Sequence, residues 1–244
     1  MHDMDINEII DSKIRRIEHE TGNGVIIEEK ARILLDHSIC VDFANWYTTT
    51  SLPKILHQPN IEDVHILHEL IHLEMFFIDG YYVLSSNTTA NPEYNRTVRR
   101  IAEQFSNIPE NYVAHKLIAE YGFNPICEAW FGLEIPTEGL ELAAWLVDAR
   151  LFSEFRPAYK KMVADSWADV QGKSPYTYSV AANVMTLLES MDYTDKDAYN
   201  AMLGPIINMF APEYYTIIDS FRLNKVNGVW LMRSRSNICK GGES

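Results

Sequence analysis

The sequence predicts an α+β fold that is mostly α, and three observations point there. The region from Val25 to about His57 is rich in β-branched and aromatic residues broken by turn formers. The chain beyond Asn60 carries apolar residues mainly at helical spacing. The helix opening at Ile61 is apolar nearly all the way round, which marks it as buried. A small N-terminal sheet, a buried central helix and a helical C-terminal half follow. With 244 residues and no repeat or low-complexity linker, we read 1–244 as a single domain. Its parts are a core at 25–122, a helical part at 123–223 and a tail at 224–244.

The first helix is predicted from Ile6 to about Glu20, with Ile9, Ile10, Ile14 and Ile17 on one stripe, and Gly22-Asn23-Gly24 ends it. Short runs at Val25-Ile26-Ile27, Ile39-Cys40-Val41 and Lys54-Ile55-Leu56 supply the strands. Asn60, ahead of Ile61-Glu62-Asp63, reads as an N-cap with acids in the first turn, and the helix it opens runs to about Ile78. A linker follows from Asp79 to Ala90. Helices are then expected over Pro92–Ser106, Ile108–Tyr121, Pro136 to about Val170 with a kink near Pro157, Pro175–Met191, Asp195–Phe210 and Pro212–Leu223. The tail from Asn224 reads as loose chain, or as a late strand through Val229-Trp230-Leu231-Met232.

Composition removes several classes of function. Lys+Arg number 21 against 34 Asp+Glu, a net charge of −13 that repels phosphate backbones and anionic lipid, so nucleic acid is not an expected partner. No stretch reaches 18 uninterrupted apolar residues, so no membrane span is expected. The three cysteines, Cys40, Cys127 and Cys239, are far apart and form no C-x-x-C pair. With an acidic opening MHDMDINEII that lacks the basic and apolar runs of a secretory signal, this places the chain in the cytoplasm. No G-x-G-x-x-G, Walker loop or G-x-S-x-G is present.

The stretch that carries chemistry is His68-Glu69-Leu70-Ile71-His72, an H-E-x-x-H on the Ile61 helix. Residues four apart stand one above the other, so both imidazoles reach toward one metal ion. The Glu beside the first His sits about 100° round, near a metal-bound water rather than the metal. With only 8 histidines in the chain, about 0.02 such matches are expected by chance. Val64, Leu67, Ile71, Met75 and Ile78 form one apolar stripe, and Ile66, Leu70, Leu73, Phe76 and Phe77 cover most of the rest. Inside such a helix a Glu and two His require partners, and a divalent cation satisfies all three. The plainer reading is a pair of core histidines hydrogen-bonded to carboxylates.

This segment and the run before it resemble the zincin metallopeptidases, whose H-E-x-x-H helix follows a small sheet. The resemblance covers residues 25–122, and it makes that span a zincin-like core. It implies His68 and His72 as Zn²⁺ ligands and Glu69 as the general base. The chain continues LEMFFIDGYYV after His72 without the metzincin H-x-x-G-x-x-H, so the resemblance is to the gluzincin type, in which a Glu on a later helix is the third ligand. Glu110, 38 residues after His72 in IPENYVAHKLIAEYGF, fits that place and is similar to the pattern of compact bacterial zincins. With Asn107 as N-cap, Glu110 is equally the N3 member of a capping box that needs no metal. His115 is the second choice of ligand, with Glu103, Glu120 and Asp148 behind it. Tyr112 and His115 are candidate donors to an oxyanion, as Tyr or His is in related enzymes.

His65 shares a face with His68 and His72, but lies about 10 Å along the axis from His72, too far for one zinc. Trp130, Trp145, Trp167, Tyr176, Tyr178, Tyr214 and Tyr215 have the spacing of core aromatics rather than of a ligand cage. Arg96, Arg99 and Arg100 form a short basic face, and the methionines fill gaps. The reading that results is a zinc-dependent hydrolase, a metallopeptidase acting on a peptide or protein through a zinc-bound water activated by Glu69. The alternative is a non-enzymatic helical partner-binding or regulatory protein whose zincin site is degenerate or structural.

Overall fold

The computed structural model describes residues 5–22, 24–29, 39–42, 54–86, 107–126, 128–210, 215–218, 222–226, 229–233 and 236–237. They are mostly helical, with small sheets, in keeping with the expected mostly-α class. The chain divides into two compact units. The first comprises Met1–Tyr82, Lys116–Pro125 and Asp219–Arg235, and the second Val83–His115, Ile126–Ile218 and Ser236–Ser244.

In the first unit, α1 (Ile6–Thr21) begins where the Asp5 carboxylate accepts the Asn7 N–H at 3.0 Å. It ends at Gly22, whose φ of 67° lets its N–H reach back to the Glu18 carbonyl. Ile9, Ile10 and Ile17 of the expected stripe are buried, and Ile14 is partly so. The strands β1 (Ile26–Glu29), β2 (Ile39–Asp42) and β3 (Lys54–His57) fall on the three expected runs. β3 is central, parallel to β1 with Ile27 opposite Ile55, and antiparallel to β2 with Val41 opposite Ile55. Ile55 is wholly buried.

The next helix, α2, spans Asp63–Glu74 and packs on both α1 and β2. It starts two residues later than expected. Asn60 takes a left-handed φ of 63° in the preceding turn, a conformation Asn tolerates, and Glu62 occupies the N-cap without a side-chain bond. At its far end α2 widens into a π turn over Met75–Asp79, closed by Gly80 at φ 81°. The unit also holds an antiparallel hairpin of β6 (Arg222–Val226) and β7 (Val229–Arg233), with Val226 opposite Val229. The late strand expected through Val229–Met232 is therefore present.

In the second unit, β4 (Val83–Ser86) pairs antiparallel with β5 (Tyr215–Ile218), which pairs with β8 (Ser236–Asn237). Two expectations are corrected here. Asp79–Ala90 is not all linker, and the described residues of the helix expected over Pro212–Leu223 are strand: Tyr215-Thr216-Ile217-Ile218 is β-branched and aromatic, and it extends against Val83–Ser86. The helix expected over Pro92–Ser106 lies outside the described residues. The helix at residues 107–120, α3, carries its first part, to His115, in this unit.

The long helix expected from Pro136 is two. α4 (Gly139–Phe155) stops at Arg156, at φ −129° and ψ 75°. A single turn follows over Pro157–Tyr159, and then α5 (Lys160–Lys173). Proline both lacks the N–H that α4 would need and drives the residue before it out of the helical region. The Arg156 guanidinium fixes the break by donating to the Ile126 carbonyl at 2.6 and 2.9 Å. α6 (Pro175–Ser190) and α7 (Lys196–Phe210) complete the bundle, with α4 against α5 and α6. Trp167 donates its indole N–H to the Leu146 carbonyl at 3.1 Å, joining α5 to α4.

Leu146 is wholly buried in α4. We expect Leu146→Ala to lower stability by about 2–5 kcal/mol in chemical denaturation. Lys161→Ala, which removes an exposed pair with Asp165, should change it by less than about 0.5 kcal/mol.

Candidate metal centre

α2 brings the two motif histidines to one place. Every residue from Leu70 to Phe76 is buried, so this part of the helix has no solvated face, as its sequence predicted. His68 is half-buried and His72 is buried. Their Nε2 atoms stand 2.8 Å apart, the rings meeting edge to face with centroids at 4.4 Å, and the His72 ring stacks on Phe76 at 5.8 Å. At that separation one nitrogen donates and the other accepts. Two nitrogens bound tetrahedrally to one zinc, each at about 2.0–2.1 Å, lie about 3.3 Å apart. The pair thus converges on a point that a divalent ion fits after a small opening of the rings.

Glu69 stands between them in sequence. It keeps a little accessible surface, but its carboxyl lies deep in protein, and this burial pushes it up to about 7. His65, one turn earlier, is half-buried. Desolvation lowers its pKa and the nearby Glu62 carboxylate opposes that effect.

The other expected site residues belong to the second unit. Glu110 is half-buried on α3. Asn107 is itself helical, so it is not the cap ahead of the helix that the capping-box arrangement needs. Tyr112 is buried with its ring edge to face with Tyr193 at 6.4 Å. His115 is buried among aromatics, 5.2 Å from Phe152 and 6.3 Å from Phe155. Trp130 stacks on Trp145 and meets Phe152, in keeping with a packed aromatic core. Among the described residues no group of three or more His, Cys, Asp or Glu side chains is placed as a metal ion would need. The histidine pair presents two imidazole nitrogens close together.

Sequence reasoning passed over a set of charges beside this helix. Lys13 and Arg16 of α1 bind Glu74, and Arg16 also binds Asp79. The available signal was a pair of acids, one on the apolar helix and one just past it, with two basic residues three apart on an amphipathic neighbour. It also ranked Asp148 low without foreseeing that its carboxyl is buried on α4, with Oδ1 lacking a hydrogen-bond partner among the described residues.

No protein-family model, curated protein or solved structure matches this chain. Among the described residues no helix is long and apolar enough to cross a membrane.

Burial pushes Asp148 up to about 8 from an ordinary value near 3.8. The unfolded chain therefore releases this proton first, and folding stability is lost as pH rises from about 4 to about 8. We expect Asp148→Asn to be more stable than the parent at pH 8–9, on the order of a few kcal/mol, with the gain vanishing near pH 4 in urea melts at both pH values.

Proposed function

We propose that the protein is a zinc-dependent hydrolase, a metallopeptidase of zincin-like core that acts on a peptide or protein substrate in the cytoplasm. The observation that carries the reading is the convergence of the His68 and His72 Nε2 atoms at 2.8 Å on a buried H-E-x-x-H helix with Glu69 between them. On the resemblance we assign the third ligand to Glu110, with Tyr112 and His115 as donors to the developing oxyanion. Bound there, zinc lowers the pKa of a water toward about 7 and polarises the scissile carbonyl.

The chain's own residues then have separate tasks. His68 and His72 each present an Nε2 lone pair, and each ring requires its Nδ1 to carry the proton. The Glu69 carboxylate takes a proton from the attacking water and returns it to the leaving nitrogen, which avoids expelling an amide anion. The apolar residues around α2 keep bulk water from this exchange and strengthen its electrostatics.

A second reading has one observation in its favour. The two imidazoles share a hydrogen bond of their own, as core histidines of a non-enzymatic helical partner-binding or regulatory protein would.

Elemental analysis of the purified chain separates the two. We expect one zinc per chain, lost in His68→Ala and His72→Ala. Glu69→Gln should retain the metal while cleavage of a peptide library falls by about 10²–10⁴-fold. Absence of zinc binding at micromolar zinc overturns the metal reading, and full activity in Glu69→Gln overturns the general base.

A further inference from the structure

We propose that Lys13 and Arg16 of α1 are positioning residues for the His68–His72 pair, because they hold two acids, one just before and one at the end of the π turn that opens three residues after His72. The inference rests on the metal-binding reading above. Lys13 Nζ lies 2.5 Å from Glu74 Oε2, with side chains 11 % and 6 % exposed. Arg16 reaches Glu74 Oε1 at 3.5 Å and Asp79 Oδ1 at 2.5 Å. Glu74 is the last residue of α2 and Asp79 the last of the π turn. Two cations three residues apart on one helix therefore grip both ends of the widened turn.

The irregularity leading into that junction begins at the carbonyl of the second histidine. The Met75 N–H is shared between the Ile71 carbonyl, four residues back, and the His72 carbonyl, three back, so the regular α ladder is first disturbed at His72's own carbonyl, and the five-residue closure follows at Met75, whose carbonyl accepts the Gly80 N–H. In a turn closed from i to i+5, residues four apart no longer stand nearest above each other. Migration of the junction toward the N-terminus would therefore turn His72 away from His68. Glu74, two residues past His72, points about 200° round the helix from it, so the clamp holds α2 from behind without touching the imidazoles.

Lys13 also lies 5.6 Å over the Tyr121 ring, and a cavity of about 340 Å³ opens among Ser12, Lys13, Glu74 and Tyr121. That space accommodates the longer guanidinium of an arginine at position 13. Lys13→Arg is therefore the conservative variant, and Lys13→Met removes the charge while keeping the apolar stem.

The test uses the full chain and three readings: Co²⁺ affinity by visible absorbance, thermal midpoint without metal, and the imidazole NMR signals of His68 and His72 without metal. We expect Lys13→Met to weaken Co²⁺ binding about tenfold or more and to move both imidazole signals, with Lys13→Arg within about threefold of the parent. Lys161→Ala, which removes an exposed charge far from these residues in sequence, should bind Co²⁺ like the parent. A lower midpoint in Lys13→Met with unchanged Co²⁺ affinity and unchanged imidazole signals overturns the proposal and leaves a mere brace. Should the parent bind no Co²⁺, the metal reading fails by itself, and unmoved imidazole signals in Lys13→Met still overturn the positioning role. Should Lys13→Met not fold, Arg16→Met, whose cation is half-exposed, is judged by the same criteria.

Discussion

A helix that is buried on every side and yet carries titratable groups sets the terms for the first unit. From Leu70 to Phe76 no residue of α2 faces solvent, and His72 and Glu74 fall inside that run. Each polar group there must find a partner or stay neutral, because an uncompensated charge in such surroundings costs several kcal/mol. The chain meets the requirement in three ways. The histidines face each other, Glu74 takes the cations of α1, and Glu69 keeps its proton up to about pH 7. Each solution occupies a different sector of the helix, so together they fix its rotation.

This division gives the helix a front and a back. Leu67, Ile71 and Met75 fill the core, and α1 contributes Ile9, Ile10 and Ile17 to the apolar interior of the same unit. The charged clamp adds direction more than stability, since a buried pair recovers little beyond its own desolvation. Losing one partner is costly and replacing both together is nearly neutral, which makes such a pair suited to registering one helix against another. Asp148 in the second unit shows the contrary case. Its carboxyl lies on a helix where ten residues are buried, with Oδ1 unsatisfied among the described residues, and only retention of its proton makes the burial tolerable at neutral pH.

Local chemistry explains which elements were legible in the sequence. α1 has an Asp cap and a Gly stop, so its ends are written within a few residues, and the observed Ile6–Thr21 differs from expectation by one position. The three N-terminal strands are short β-branched runs between turn formers. The H-E-x-x-H spacing carries its geometry by itself, because helix periodicity alone stacks residues four apart. The misread elements depended on distant partners. Tyr215–Ile218 becomes a strand by pairing with Val83–Ser86, well over a hundred residues earlier, and nothing local announces that pairing. The β6–β7 hairpin did have a local signal, Asn227-Gly228 between two runs, which helical periodicity upstream outweighed. The clamp was invisible for a related reason: a cation on α1 and an acid 61 residues later become partners only once the helices pack.

A hydrogen-bonded histidine pair and a metal-binding one are close neighbours in shape and far apart in energy. A neutral hydrogen bond contributes about 0.5–1.5 kcal/mol, whereas a complete zinc site in a small peptide contributes about 10–16 kcal/mol at neutral pH. Exchanging the first for the second requires the nitrogens to separate by about half an ångström and one ring to change the nitrogen that carries its proton. The hydrogen bond keeps two imidazoles aimed at one point inside an apolar helix at little cost, and the stacking of His72 on Phe76 holds the second ring in that aim. A pair arranged in this way has already met part of the ordering entropy of bringing two imidazoles to one point, and α2 carries them on a rigid, buried element.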